Sequence, residues 1–210
     1  MELDTLHTLY VERLRDLYSA EQQLLKAMPT LRQAVTNDEL MEAFDTHLAQ
    51  TEQQVQRLER IFEALGVPPK GKHCKGMAGL LAEAHELLGE DAEPDVLDAG
   101  IIASAQAVEH YEIAGYGTVR AYSELLGYDD HTELLQQTLT EEEETDRLLT
   151  EIAMSSVNLE ALEAMEAVDA TEDEGDGEAG APIRASRGSR AGKTTSKKRS
   201  VGKPEGRGKH

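Results

Sequence analysis

Four stretches of this chain repeat apolar residues at helical spacing, and each interrupts its own stripe near the middle with an acid or a histidine. Leu6, Tyr10, Leu14, Leu17, Leu24, Met28 and Leu31 predict a first helix over roughly 3–34, with Glu21 in the stripe between Leu17 and Leu24. Pro29 falls inside it and predicts a kink or a looser last turn. Asn37-Asp38 opens a second helix striped by Leu40, Phe44, Leu48, Thr51, Val55, Leu58, Phe62 and Leu65, and Gly66 with Pro68-Pro69 closes it. His47 lies on its inner face, three after Phe44. A long helix over roughly 95–126 carries Ile102, Ala105, Glu109, Glu112, Tyr116 and Val119 on one face. A last one, roughly 131–157, carries Leu135, Thr138 or Leu139, Glu142, Asp146, Leu149 and Ile152. The odd polar residues all fall within about a turn of a helix midpoint, so in a bundle of similar helices they meet in one layer.

The connections predict how the helices pair. The first two helices are joined by a short turn, as are the last two, so each pair is antiparallel. Between the pairs lie about thirty residues, which hold a short amphipathic helix (Met77, Leu80, Leu81, Ala84, Leu87, Leu88). One long crossover between two antiparallel pairs is the ferritin-like four-helix arrangement. The expected fold is therefore all-α over residues 1–157.

Carboxylates do not gather in a dry core unaided. Burying one ionised carboxylate costs several kcal/mol after relaxation, and several in one layer repel one another or take up protons. No lysine or arginine occupies the inner positions that the stripes define. A divalent cation, or two, is the simplest compensation. Glu21, His47, Glu109, Glu112, Glu142 and Asp146 are the expected ligands, with Glu52 reaching in from the edge of its stripe. Oxygen and imidazole donors suit iron or manganese. The competing reading is a structural hydrogen-bond network, for which Tyr18, Tyr116 and His47 are at hand, with His110 beside Glu109 as a supporting group. Glu141, Glu143 and Glu144 read mainly as a solvated run, and His7, His73, His85 and His131 as surface residues.

Charge divides the chain. The net charge is −20, yet residues 184–210 hold ten of the 21 Lys/Arg and one of the 41 Asp/Glu, which leaves a net of −29 on the rest. The helical pattern fails beyond about 158; 169–180 is acidic and Gly-rich, 184–210 is basic, and neither of these has apolar residues to bury, so 158–210 is expected to be disordered, acidic over 158–180 and basic over 184–210. Arg184, Arg187, Arg190, Lys193, Lys197, Lys198 and Arg199 are candidate phosphate contacts for non-specific DNA, and folding back onto the acidic body is the alternative. No aromatic residue interleaves them, which argues against base reading. The single cysteine, Cys74, excludes an internal disulfide and a thiolate zinc site. The N-terminus lacks an apolar leader core and no stretch suits a membrane span, so a soluble cytoplasmic protein is expected.

The string AQAVEHYEIAGYGT (105–118) closely resembles the signature of the YciF/YciE-like stress-protein family, a ferritin-like group known as a domain of unknown function. LYSAEQQL (17–24), HLAQTEQQVQRLE (47–59), CKGMAGLLAEA (74–84) and TLTEEEETDRL (138–148) extend the resemblance, in order, over residues 3–157. It implies a bundle that dimerises through its helices, a di-metal site similar to that of rubrerythrin, and a link to stress, with some members ferroxidase-like; from the ligand chemistry, a pair of iron or manganese ions with open positions adds a ferroxidase or peroxide-consuming potential. It also implies Thr51 and Gln54 beside His47 at the site. The chain departs from the usual ferritin-like pattern in having no Glu-x-x-His, and it has Ala49 and Gln50 where the family often has acids. One ion or an uneven pair is then an alternative to two. The functional alternative is a non-catalytic bundle acting through dimerisation and partners, with the tail on DNA.

Overall fold

In the computed structural model, residues 4–70 and 72–163 are described; the basic tail and its candidate DNA contacts lie outside the described residues. The chain folds into α1 (Leu6–Ala34), α2 (Asp38–Ala64), α3 (Lys75–Leu87), α4 (Pro94–Leu125) and α5 (Asp129–Ile152). A π-helical turn, Ala153–Val157, follows. Helical structure continues through Glu163, six residues beyond the expected boundary at 157.

Local chemistry sets the ends. Thr5 Oγ1 accepts the amide of Thr8 at 3.0 Å, and Asn37 Oδ1 accepts that of Leu40 at 3.1 Å, so both N-termini have a side-chain cap. Pro94 stands in the first turn of α4, where its missing N–H costs nothing. Gly66 and Gly127 have φ of 65° and 74°, the left-handed conformation that ends α2 and α4. The helix runs unbroken through Pro29 to Ala34.

α1 packs on α2 and α4, and α5 packs on α2 and α4, which makes a square of four helices. Thr36 meets Asp98, Asn37 meets Ser156 and Tyr10 meets His131, so every neighbouring pair in the square is antiparallel. This is the ferritin-like four-helix bundle. α3, in the crossover, lies against α1 and α4 and is pinned by Cys74 N–H to Ser19 Oγ (2.9 Å) and Gln23 Nε2 to Cys74 O (3.1 Å).

The apolar core comes in two parts. One end holds Leu24, Met28, Phe44, Met77, Ile101 and Leu149 among others. The other holds Tyr10, Leu14, Leu58, Phe62, Val119 and Leu135. Between them lies a buried polar layer.

Three buried polar residues depart from the sequence reading. His131 is buried, not on the surface: its Nδ1 lies 3.2 Å from the Tyr10 hydroxyl, and burial lowers its pKa. Arg57 is buried one turn from the layer and grips Glu141 with two hydrogen bonds of 2.6 and 2.7 Å, so Glu141 is not simply a solvated acid. Asp98 is buried and accepts from Thr36 N–H, Thr36 Oγ1 and Asn37 N–H at 2.8–3.1 Å, which ties α4 to the α1–α2 turn.

Candidate metal centre

The polar layer is built from all four long helices. α1 supplies Glu21, α2 supplies His47, Thr51 and Gln54, α4 supplies Glu109 and Glu112, and α5 supplies Glu142. All are buried, and Glu21, Glu112 and Glu142 have no exposed surface at all. One donor atom from each of His47, Glu109, Glu112 and Glu142 falls within 4.8 Å of the others. His47 Nε2 is 3.3 Å from Glu109 Oε1, and its Nδ1 is 4.0 Å from Glu142 Oε2.

The hydrogen bonding around His47 selects its tautomer. The Thr145 hydroxyl donates to Glu141 O at 3.0 Å, so its single proton is committed. His47 Nδ1, 3.4 Å from that hydroxyl oxygen, is then the donor between them. The Nε2 lone pair is left facing the carboxylates. Burial also lowers the His47 pKa to about 4, so the ring is neutral at pH 7, as a metal ligand must be. Thr51 Oγ1 donates to His47 O at 3.0 Å and steadies the backbone there.

The carboxylates lack partners. With every carboxylate ionised, six of their oxygens accept no hydrogen bond, Glu21 Oε2, Glu109 Oε2, both of Glu112 and both of Glu142, whereas a proton on Glu109 would bond it to Glu142. Buried polar atoms in native folds are almost always satisfied, and an unsatisfied one costs about 1–3 kcal/mol, more if charged. Tyr116 donates to Glu21 Oε1, which satisfies one oxygen of the set. Burial raises the pKa of Glu21, Glu109 and Glu112, and mutual repulsion raises it further. Burial lifts Glu142 to about 7. The positive charge of Arg57 does not resolve this, because both of its terminal nitrogens are bound to Glu141. A cluster of oxygen donors without protein partners, around a bare imidazole nitrogen, fits a divalent cation of the iron or manganese class.

Four of the expected ligands, His47, Glu109, Glu112 and Glu142, are brought together, and Glu21 shares their layer. Two are not. Glu52 is exposed on the outside of α2. Asp146 lies outside the cluster in the α4–α5 groove, where it accepts from Gln106 Nε2 (3.3 Å) and sits 3.2 Å from His110 Nε2. Glu142 to Asp146 is a step of four residues, about 40° further round the helix, and that rotation takes Asp146 off the core face. Among the expected supporting groups, Tyr116, Thr51 and Gln54 are at the layer, whereas Tyr18 donates outward to Glu59 and His110 is exposed. Sequence reasoning missed Arg57; its only sequence signal was an acid on α5, which no local spacing reveals.

Residues 5–162 match the family described as a domain of unknown function, DUF892. Protein YciF of Escherichia coli (strain K12) is 41% identical over 162 residues, covering 77% of this chain and 98% of that protein. The crystal structure of the E. coli stress protein YciF superposes with a TM-score of 0.71, covering 74% of this chain and 99% of that one. The structure of YcfI from Rhodopseudomonas palustris, 44% identical, superposes with a TM-score of 0.69 over 71% of this chain and 95% of that one.

Proposed function

The chain belongs to the DUF892 family, and from that premise, joined to the buried donor cluster, we propose that it is a stress-associated protein that holds iron or manganese in its bundle. The observation that carries this reading is the set of six buried carboxylate oxygens without hydrogen-bond partners around a neutral histidine. His47, Glu109, Glu112 and Glu142 would hold the first ion, and Glu21 with the remaining carboxylate oxygens would extend the site to a second. Iron or manganese bound there supplies one-electron chemistry toward dioxygen or peroxide, the basis of a ferroxidase or peroxide-consuming activity. The protein's own part is to strip water from the site, to hold the imidazole in its Nδ1–H tautomer through Thr145, and to orient Glu21 through Tyr116. On ion binding the carboxylates give up the protons that burial favours, so binding strengthens as pH rises.

The test is metal content after reconstitution of metal-stripped protein, with Fe(II) oxidation followed on the same samples. Glu109→Ala and Glu142→Ala are expected to lower ion binding steeply. Unchanged binding in both sinks the assignment.

A second reading draws on the Tyr116–Glu21 hydrogen bond and the raised carboxylate pKa values, which let the layer stay neutral without metal. The bundle is then non-catalytic and acts through a homodimer and its partners. Metal-free protein from metal-replete cells, with undiminished thermal stability, favours it. The basic tail is proposed to contact DNA phosphates, with folding back onto the acidic body as the alternative. Removal of residues 184–210 is expected to abolish a salt-sensitive gel shift.

A further inference from the structure

A cavity of about 30 Å³ abuts the polar layer on the side that α3 covers. All five helices line it. Leu24 and Met28 of α1, Phe44 of α2, Ala84 of α3, Ala105 of α4 and Leu149 of α5 form its apolar walls. Where it meets the layer it is lined by His47, Glu109 and Thr145. A second depression, at the α1–α3 surface, is formed by Ala27, Thr30, His85 and Leu88. Leu31 and Leu81 line both, so the surface depression and the cavity lie on opposite sides of this leucine pair.

Size and lining select the occupant. One water-sized sphere needs about 10–15 Å³ of such space, so the cavity takes a molecule of two or three heavy atoms and no fatty acid or aromatic compound. Water and hydrogen peroxide need several hydrogen-bond partners each; the Ser104 hydroxyl, the one polar group among the other wall residues, already donates to Gly100 O at 3.1 Å, and His47, Glu109 and Thr145 stand only where the cavity meets the layer, so along the apolar walls such a molecule is left with unpaired groups at a cost on the order of 1–3 kcal/mol each. A nonpolar diatomic molecule loses nothing there. Apolar cavities of this kind stay dry and take up nonpolar ligands.

We propose that this cavity is a binding site for dioxygen, which passes between Leu31 and Leu81 and is delivered to the His47–Glu109 side of the buried cluster. The inference rests on the reading of that cluster as a redox metal site, and it names dioxygen rather than peroxide as the oxidant. Carboxylate and imidazole then meet the cations, while a separate, dry approach from the α3 side meets the gas.

The cavity itself is tested on metal-free protein by methyl NMR under dissolved dioxygen, whose paramagnetism broadens nearby signals. The methyls of Leu24, Met28 and Leu149 are expected to broaden more than those of Leu14 and Leu58 in the other core half. Ala105→Leu and, from the opposite wall, Ala84→Leu are expected to abolish the difference. Equal broadening in both halves of the wild type overturns the binding site. Delivery is tested in the same two variants by Fe(II) oxidation. The dioxygen-driven rate should fall while the peroxide-driven rate and metal content hold. Equal loss of both rates, or of neither, overturns the delivery role and leaves only a packing void. If the wild type oxidises no Fe(II) with either oxidant, the redox reading of the cluster fails instead, and the NMR comparison alone upholds or overturns the gas site.

Discussion

Replacing Glu142 by glutamine separates a metal site from a structural network by the sign of its effect. Glu142 is buried, neither of its oxygens has a partner while the neighbouring carboxylates are ionised, and burial lifts its pKa from 4.5 to about 7 against the opposing pull of Glu109 and Gln54. In the unfolded chain the same group ionises near 4.5, so the metal-free fold binds an extra proton between these values. Its stability contribution is intact below about pH 4.5 and is lost as pH rises through about 7. A rise of that size corresponds to about 3 kcal/mol at high pH, at 1.36 kcal/mol per unit. Glutamine resembles the protonated acid and cannot ionise. Glu142→Gln is therefore expected to leave metal-free stability nearly unchanged at pH 4.5 and to raise it at pH 8 by up to about 3 kcal/mol. For a chain of this size that is a rise in Tm of about 6–12 °C. Circular dichroism melts in chelator at the two pH values read this directly. Saturating Mn(II) at about 100 times its Kd should stabilise the wild type by about 2.7 kcal/mol and the variant far less. If Glu142→Gln lowers Tm equally at both pH values, the carboxylate is a working hydrogen-bond partner, and the argument from unpartnered oxygens is wrong.

Glu52→Ala and Asp146→Asn, both outside the cluster, should leave metal stoichiometry unchanged in elemental analysis, whereas Glu112→Gln should not. Arg57→Met strands the Glu141 carboxylate and should cost on the order of 3 kcal/mol in urea unfolding, with Glu141→Gln added to it restoring part of the loss. Asp98→Ala removes the acceptor that ties α4 to the α1–α2 turn, and should cost about 2–3 kcal/mol with hydrogen exchange fastest at Thr36 and Asn37. His47→Ala should weaken ion binding and, by deleting a group that protonates near pH 6.5 when unfolded but only near 4 when folded, should remove a gain in stability between those pH values.

The helices and most of the donor set were legible in the sequence because they rest on local periodicity, and the pairing because it rests on the lengths of the connections. Glu21, His47, Glu109, Glu112 and Glu142 each interrupt an apolar stripe, and burial follows from the stripe. Asp146 shows where that reasoning weakens. A residue four beyond a buried one has rotated by about 40°, and one three beyond by about 60° the other way, and whether it still faces the core depends on how closely the neighbouring helix stands. Glu109 and Glu112 both stay buried on α4, while Asp146 on α5 meets His110 and Gln106 in the groove. Arg57, Asp98 and His131 were beyond reach for a different reason. Their partners, Glu141, Thr36 and Tyr10, are 84, 62 and 121 residues away, and no window along the chain contains both members of a pair.

The division of the core into two apolar halves has a consequence for change over time. The helices are clamped at both ends, by Phe44, Ile101 and Leu149 on one side of the waist and by Leu14, Leu58 and Leu135 on the other. The spacing across the waist is therefore set by residues that contribute no donor atom to it. A donor exchanged there, Glu for His or Gln for Glu, enters a scaffold whose spacing is already fixed. The same property would let an ion bound there leave and return without the helices coming apart. On the metal reading, affinity and metal preference would drift by single substitutions at the waist while the fold that presents them stays the same.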